Sequence, residues 1–229
     1  MILAQVTAGP THLMELAKSI REAFRGQQLA TFRPFLSVDG LSLLQAEVHR
    51  VALYAKRHDM RMRESVDTWR RMSTVGGGLV SATSSLIPRI YNDPDLLAFL
   101  SEIAGEEVLP VPDPDENHVI NILHRDSDVH GGHVDTYAYA FNLILHAPPI
   151  GKGGEVEICF GSLNPLDLVT PSATTLEFES GDAYFLKTDS NVHGVRPIVG
   201  NCKRIGLNLA YANRATIQLV SYSSSQLYR

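Results

Sequence analysis

Arg204-Ile205-Gly206-Leu207-Asn208-Leu209-Ala210-Tyr211-Ala212 alternates two kinds of side chain with a period of two. Arg204, Gly206, Asn208, Ala210 and Ala212 form a small and polar set, and Ile205, Leu207, Leu209 and Tyr211 form a bulky apolar one. Successive residues of a strand point to opposite faces, so this stretch reads as a strand lining a ligand cavity with one face and meeting a helix with the other. Similar short segments rich in β-branched and aromatic residues, separated by Gly, Pro, Asn or Asp, run from Asn117 onward, near 117–125, 136–147, 154–160, 174–180, 183–188, 192–199 and 203–212. Upstream, the first 105 residues read as helical. Leu13, Leu16, Ala17, Ile20 and Phe24 recur at helical spacing, and so do Leu41, Leu44, Val48, Val51, Ala52 and Ala55 across 41–58. Asp93-Pro94, an apolar run and Gly105 supply a capping side chain, a first-turn proline and a C-terminal glycine. The pattern predicts one mainly β domain, with helical support over 1–110 packed on a sandwich or jelly roll over 111–229.

Composition narrows the function classes. With 229 residues and 44% hydrophobic content, one sizeable core is expected. A formal net charge of −5 provides no electrostatic footprint for a phosphate backbone or an anionic bilayer, so neither nucleic acid nor membrane is an expected partner. Cys159 and Cys202 are the only cysteines and form no CxxC pattern, which argues against a disulfide framework or a cysteine-held zinc. Met1 to Pro10 has no basic region before its short apolar stretch, and no run of about 18 apolar residues occurs, so a cytoplasmic protein is expected.

The chemistry-bearing residues lie in the β region. His133 and Asp135 stand at i and i+2, which on extended backbone puts them on one face; His193 follows the aspartate by 58 residues and Arg204 follows His193 by 11. Two imidazoles and one carboxylate are the ligand set of non-heme Fe(II) sites and leave three coordination positions open. Arg204, on the polar face of its strand, is placed to clamp a carboxylate through two parallel hydrogen bonds, a geometry lysine cannot copy. His130 and Arg196, each three residues from a ligand, are expected on regular strands to point away, His130 as a supporting or substrate contact and Arg196 as a structural residue.

His133-Val134-Asp135, His193-Gly194-Val195-Arg196-Pro197-Ile198 and Arg204 resemble the Fe(II)/2-oxoglutarate-dependent oxygenases, whose fold is the double-stranded β-helix, a jelly roll or cupin-like barrel. The longer string from His130 to Phe141, with Ala147-Pro148-Pro149 and Gly153-Gly154, is similar to the branch acting on free amino acids, the lysine-type radical halogenases and their hydroxylase relatives. The resemblance implies Fe(II) held by His133, Asp135 and His193, with 2-oxoglutarate anchored by Arg204 and O2 as cosubstrate. It further implies a free amino acid or derivative as substrate, bound by Arg70 or Arg71 at its carboxylate, Glu116 at its amine, and His130 and Asn208 within the same pocket. Halogenases of that branch carry glycine or alanine where this chain has Asp135, so the implied outcome is hydroxylation of an unactivated C–H bond with release of succinate and CO2. Desaturation or ring closure by the same iron chemistry remains open, as do a cupin-like metalloenzyme independent of 2-oxoglutarate, a non-catalytic binding barrel, and association as a homodimer.

Other signals read as structural. The Gly- and Ser-rich stretch 73–85 is a connector or a loop over a cavity, 151–154 is a hairpin turn, Asp113-Pro114-Asp115 is a turn, 221–225 is a serine-rich tail, Trp69 is a packing residue, and His118, His124 and His146 lack ligand spacing.

Overall fold

A computed structural model describes residues 3–7 and 12–229, so residues 1, 2 and 8–10 of the Met1–Pro10 stretch lie outside it. The chain runs α1 (Leu3–Val6), α2 (Leu13–Gln27), β1 (Leu29–Phe32), α3 (Val38–Val51), β2 (Lys56–Met62), β3 (Thr68–Val75), α4 (Gly77–Thr83), α5 (Leu86–Tyr91) and α6 (Pro94–Ala104). It continues through β4 (Leu109–Pro110), β5 (His118–Leu123), β6 (Val129–His133), β7 (Tyr139–His146), β8 (Val156–Cys159), β9 (Thr174–Leu176), β10 (Ala183–Lys187), β11 (Val192–Val195), β12 (Arg204–Ala212) and α7 (Ser223–Leu227). All pairings are antiparallel, in the order β1-β10-β7-β12-β5-β3-β6-β11-β8-β9, with β2 beside β3 and β4 beside β12.

β3 links the two halves of the sheet. Its end, Ser73–Val75, pairs with β5, whereas Arg70 and Arg71 pair with β6, so one strand passes from the larger set of strands to the smaller. The helices cover the outer face of the larger set. Ile205, Leu207, Leu209 and Tyr211 of β12 join Phe141, Leu143 and Leu145 of β7 and Phe99 of α6 in the main core, where Phe32, Phe35, Phe99 and Phe141 make edge and tilted ring contacts. The opposite parity points between the sheets, where Ile144, Val156, Ile158, Tyr184 and Leu186 form a second apolar cluster.

α6 has the predicted ends. Asp93 accepts a hydrogen bond from Asp95 N at 2.9 Å, Pro94 is the first helical residue, and Gly105 sits at φ 73°. The other oxygen of the buried Asp93 carboxylate accepts from Leu3 N at 3.1 Å, tying α1 to α6. Asp93→Ala removes a cap and strands a buried amide, so we expect urea denaturation to show a loss of about 1–3 kcal/mol.

The helical lead is interrupted by three strands. The apolar spacing across 41–58 extends past the true helix end at Val51, and β2 and β3 are dominated by charged and polar residues that mask the alternation. β6 also escapes a pattern search because two of its five residues are glycine. The stretch 73–85 is the end of β3 followed by α4, and its glycines serve close approach: a Cβ on Gly76 would fall 2.0 Å from Tyr228 O. The serine-rich tail forms α7, with Ser224 and Leu227 buried. Among the described residues no helix is long and apolar enough to cross a membrane.

Candidate active site

His133 ends β6, Asp135 follows it in the loop before β7, and His193 sits on β11, directly paired with His133. The next pairing is Val195 with His130, two steps on β11 against three on β6, so β6 carries a one-residue bulge at Gly131-Gly132. That bulge reverses the expected parity. His130 lies on the same face as His133, their rings stacked with centroids 4.3 Å apart, and both line the cavity. Close packing demands glycine here, because a Cβ on Gly131 would lie 2.8 Å from Trp69 O.

His133 Nδ1 donates to Gly131 O and His193 Nδ1 to Asn191 O, each at 3.0 Å, so both rings turn an unprotonated Nε2 toward Asp135. His133 Nε2 is 3.5 Å from Asp135 Oδ1, and His193 Nε2 is 3.7 Å from Asp135 Oδ2. Donors about 2.0–2.2 Å from one ion lie at most about 4.4 Å apart, so the three side chains fit a single small divalent cation. Burial drives the His133 pKa well below its ordinary value, which keeps the imidazole a neutral ligand. Among the described residues this is the group whose donor atoms cluster tightly enough for a metal.

Arg204, at the start of β12, faces the same cavity. Its Nε donates to Gly154 O at 3.0 Å, and Tyr184 of β10 lies beside the guanidinium. Burial lowers the Arg204 pKa and pushes the Tyr184 phenol up to about 12, so the pair presents a cation and a neutral hydroxyl donor, complementary to a carboxylate. Arg204 is buried against the Gly154 carbonyl and Tyr184, and no carboxylate is among the groups acting on it, a costly arrangement unless an anion arrives.

The cavity is also lined by Glu116, Asn121, Asn208 and Tyr228. Glu116 Oε2, Asn121 Oδ1 and Asn208 Oδ1 are buried acceptors without hydrogen-bond partners. Burial raises the Glu116 pKa to about 8 against a lowering contact from the Ser221 hydroxyl, with the nearby Asp135 and Asp113 carboxylates adding to the rise. Arg70 is 1% exposed and is the cross-strand partner of His130. Its Nη1 donates to Thr68 Oγ1, Trp69 O and Gly131 O, its Nη2 to Ser65 Oγ, and its Nε has no acceptor. Arg71 points the other way, its guanidinium 3.1 Å from Asp59 and 3.8 Å over the Trp69 ring, with Arg61 on the same ring.

The sequence profile of the family described as Halogenase D matches residues 13–226. The chain belongs to the Halogenase D family. No curated protein matches the sequence. Among solved structures, the chain superposes on the non-heme alpha ketoglutarate dependent epimerase SnoN from nogalamycin biosynthesis with a TM-score of 0.66 at 14% identity, covering 87% of this chain and 83% of that one. It superposes on HygX from Streptomyces hygroscopicus, solved with nickel and 2-oxoglutarate, with a TM-score of 0.62 at 15% identity over 84% and 85% of the two chains. A Pseudomonas putida prolyl-4-hydroxylase gives a TM-score of 0.59 at 14% identity over 86% and 99%. At these identities the likeness is one of fold, and this Halogenase D chain has their jelly roll.

Several cavity residues of this Halogenase D protein were not singled out from the sequence. Tyr184 and Asn142 are two of them, forming one row across three strands with the expected Asn208, Tyr184 opposite Asn142 and Asn142 opposite Asn208. Parity on β7 could have found Asn142, because Ala140, Asn142 and Ile144 alternate with Phe141, Leu143 and Leu145. Tyr228 had no such signal, since it reaches the cavity only through the packing of α7. Arg196 pairs with Glu157 at the surface, and His118 bonds Ser81 and packs on Tyr91.

Proposed function

We propose that this protein is an Fe(II)/2-oxoglutarate-dependent oxygenase that hydroxylates an unactivated C–H bond of a free amino acid or amino-acid derivative. The observation that carries the reading is that one cavity is lined by a three-donor candidate metal group, by the buried Arg204, and by buried acceptors of Glu116, Asn121 and Asn208 without hydrogen-bond partners. Iron bound there, with 2-oxoglutarate and O2, would supply the oxidant, the cosubstrate leaving as succinate and CO2.

The protein's own groups divide the work. Gly131 O and Asn191 O hold the two imidazoles in the metal-binding tautomer, and Arg204 with Tyr184 receives the far carboxylate of 2-oxoglutarate. Glu116, Asn121 and Asn208 offer acceptors to a substrate ammonium, which has three N–H donors to satisfy. His130, which lines the cavity, takes the substrate carboxylate, backed by Arg70, whose Nη groups are held by protein oxygens and whose Nε alone is unpartnered; Arg71 is held at the surface by Asp59 and Trp69 and is left out. A zwitterion then leaves neither buried charge unpaired. Asp135 supports oxygenation over halogenation despite the family's name, because the carboxylate occupies the coordination position a halide requires.

The test is a mass-spectrometric screen of free amino acids with Fe(II), 2-oxoglutarate and O2. The expected product is the substrate plus one oxygen, with succinate formed in step. A loss of two hydrogens would assign desaturation or ring closure instead, and turnover without 2-oxoglutarate would sink the proposal.

A further inference from the structure

Gly154, in the turn between β7 and β8, holds no place in the metal triad, yet its backbone carbonyl accepts the hydrogen bond from Arg204 Nε. Two features commit it to that contact. Its φ of 82° lies in the left-handed region that glycine adopts without strain, which lets the carbonyl face the guanidinium. A Cβ at this position would lie 2.9 Å from Pro148 Cγ and 3.2 Å from Arg204 Cδ, so a side chain would press directly on the arginine. From the other side, a Cβ on Gly206 would lie 3.3 Å from Arg204 Nη1.

A guanidinium is a planar fork: once Nε is fixed by one acceptor, the plane is restricted and the two terminal nitrogens are aimed together. The neighbouring turn residues brace the carbonyl, with Lys152 N donating to Pro149 O at 3.0 Å and Val199 N to Lys152 O at 2.8 Å. We infer that Gly154 is a positioning residue for the cosubstrate: its carbonyl locks the plane of Arg204 so that Nη1 and Nη2 meet the far carboxylate of 2-oxoglutarate as a pair. This rests on the reading of Arg204 as the cosubstrate anchor.

The experiment titrates the Fe(II)-loaded protein, without O2, with 2-oxoglutarate and separately with oxalate, which chelates a metal but has no far carboxylate. Wild type, Gly154→Ala, Arg204→Met and the double variant are compared. Gly154→Ala is expected to weaken 2-oxoglutarate by about 10- to 100-fold while leaving oxalate within about twofold. In the Arg204→Met background the same substitution should change 2-oxoglutarate affinity by less than about twofold, because the group it positions is gone. Equal loss of both ligands on Gly154→Ala, including loss through misfolding, would reduce Gly154 to a structural turn and overturn the inference, as would no loss of either. Unchanged 2-oxoglutarate affinity in Arg204→Met alone would instead overturn the anchor reading, so the two failures are distinguishable.

Discussion

Asp135→Gly is expected to lower oxygenation by on the order of a thousandfold, about 4 kcal/mol of barrier, without converting the protein into an efficient halogenase. The two imidazoles stay in place, since their orientation depends on Gly131 O and Asn191 O and not on the carboxylate. Metal therefore still binds, more weakly, with one more coordination position open. Chloride entering that position needs donors around it and no opposing charge. The Thr188 hydroxyl, which contacts Asp135, is shared with Tyr137 O at 3.1 Å, and the Asp189 carboxylate adds negative charge nearby. Fe(II) titration and the chlorine isotope pattern of the product check this. Robust chlorination of the natural substrate by the single variant would show that the coordination position alone decides the outcome.

Glu116→Gln is the second large effect, and it has opposite signs for binding and for stability. A buried carboxylate that loses its charge no longer balances a substrate ammonium, so KM for the amino acid should rise on the order of 100-fold at pH 8, about 3 kcal/mol. In the free protein the same carboxyl has its pKa raised from 4.5 to about 8, chiefly by burial. The folded state then binds more protons than the unfolded state between these values, so its stability contribution is fully present below about pH 4.5 and is lost as pH rises through 8. Glutamine removes that loss, and Glu116→Gln should be more stable than wild type above pH 8 by on the order of 1–3 kcal/mol. Substrate affinity of the wild type should climb from pH 6 to 8 and level off, whereas the variant should be flat across that window. Calorimetric binding and thermal denaturation at pH 6 and 8.5 separate the two signs; an unchanged KM in the variant would remove Glu116 from the ammonium site.

Much of the site was legible because its determinants are local. The i, i+2 spacing of His133 and Asp135 and the strict alternation of β12 follow from strand geometry alone, and α6 announces itself through Asp93, Pro94 and Gly105. The direction of His130 was not legible. Parity counts presume a regular strand, and the extra residue at Gly131-Gly132 becomes visible only when β6 is set against β11. The choice between Arg70 and Arg71 was hidden for a related reason: β3 reads as a polar run, and which arginine turns inward depends on its pairing with β2 and β6.

Residue identity and spacing alone determine the donor set of the candidate metal site and the cavity-facing direction of Arg204, because each is a property of short-range backbone geometry. Tertiary packing alone decides which distant groups complete the cavity. Tyr184 reaches Arg204 and Tyr228 joins the cavity lining only once strands and a terminal helix remote in sequence are brought together. Gly154 likewise meets Arg204 across 50 residues of chain. Burial, a property of the assembled fold and not of any segment, raises the Glu116 pKa and leaves its Oε2 without a hydrogen-bond partner.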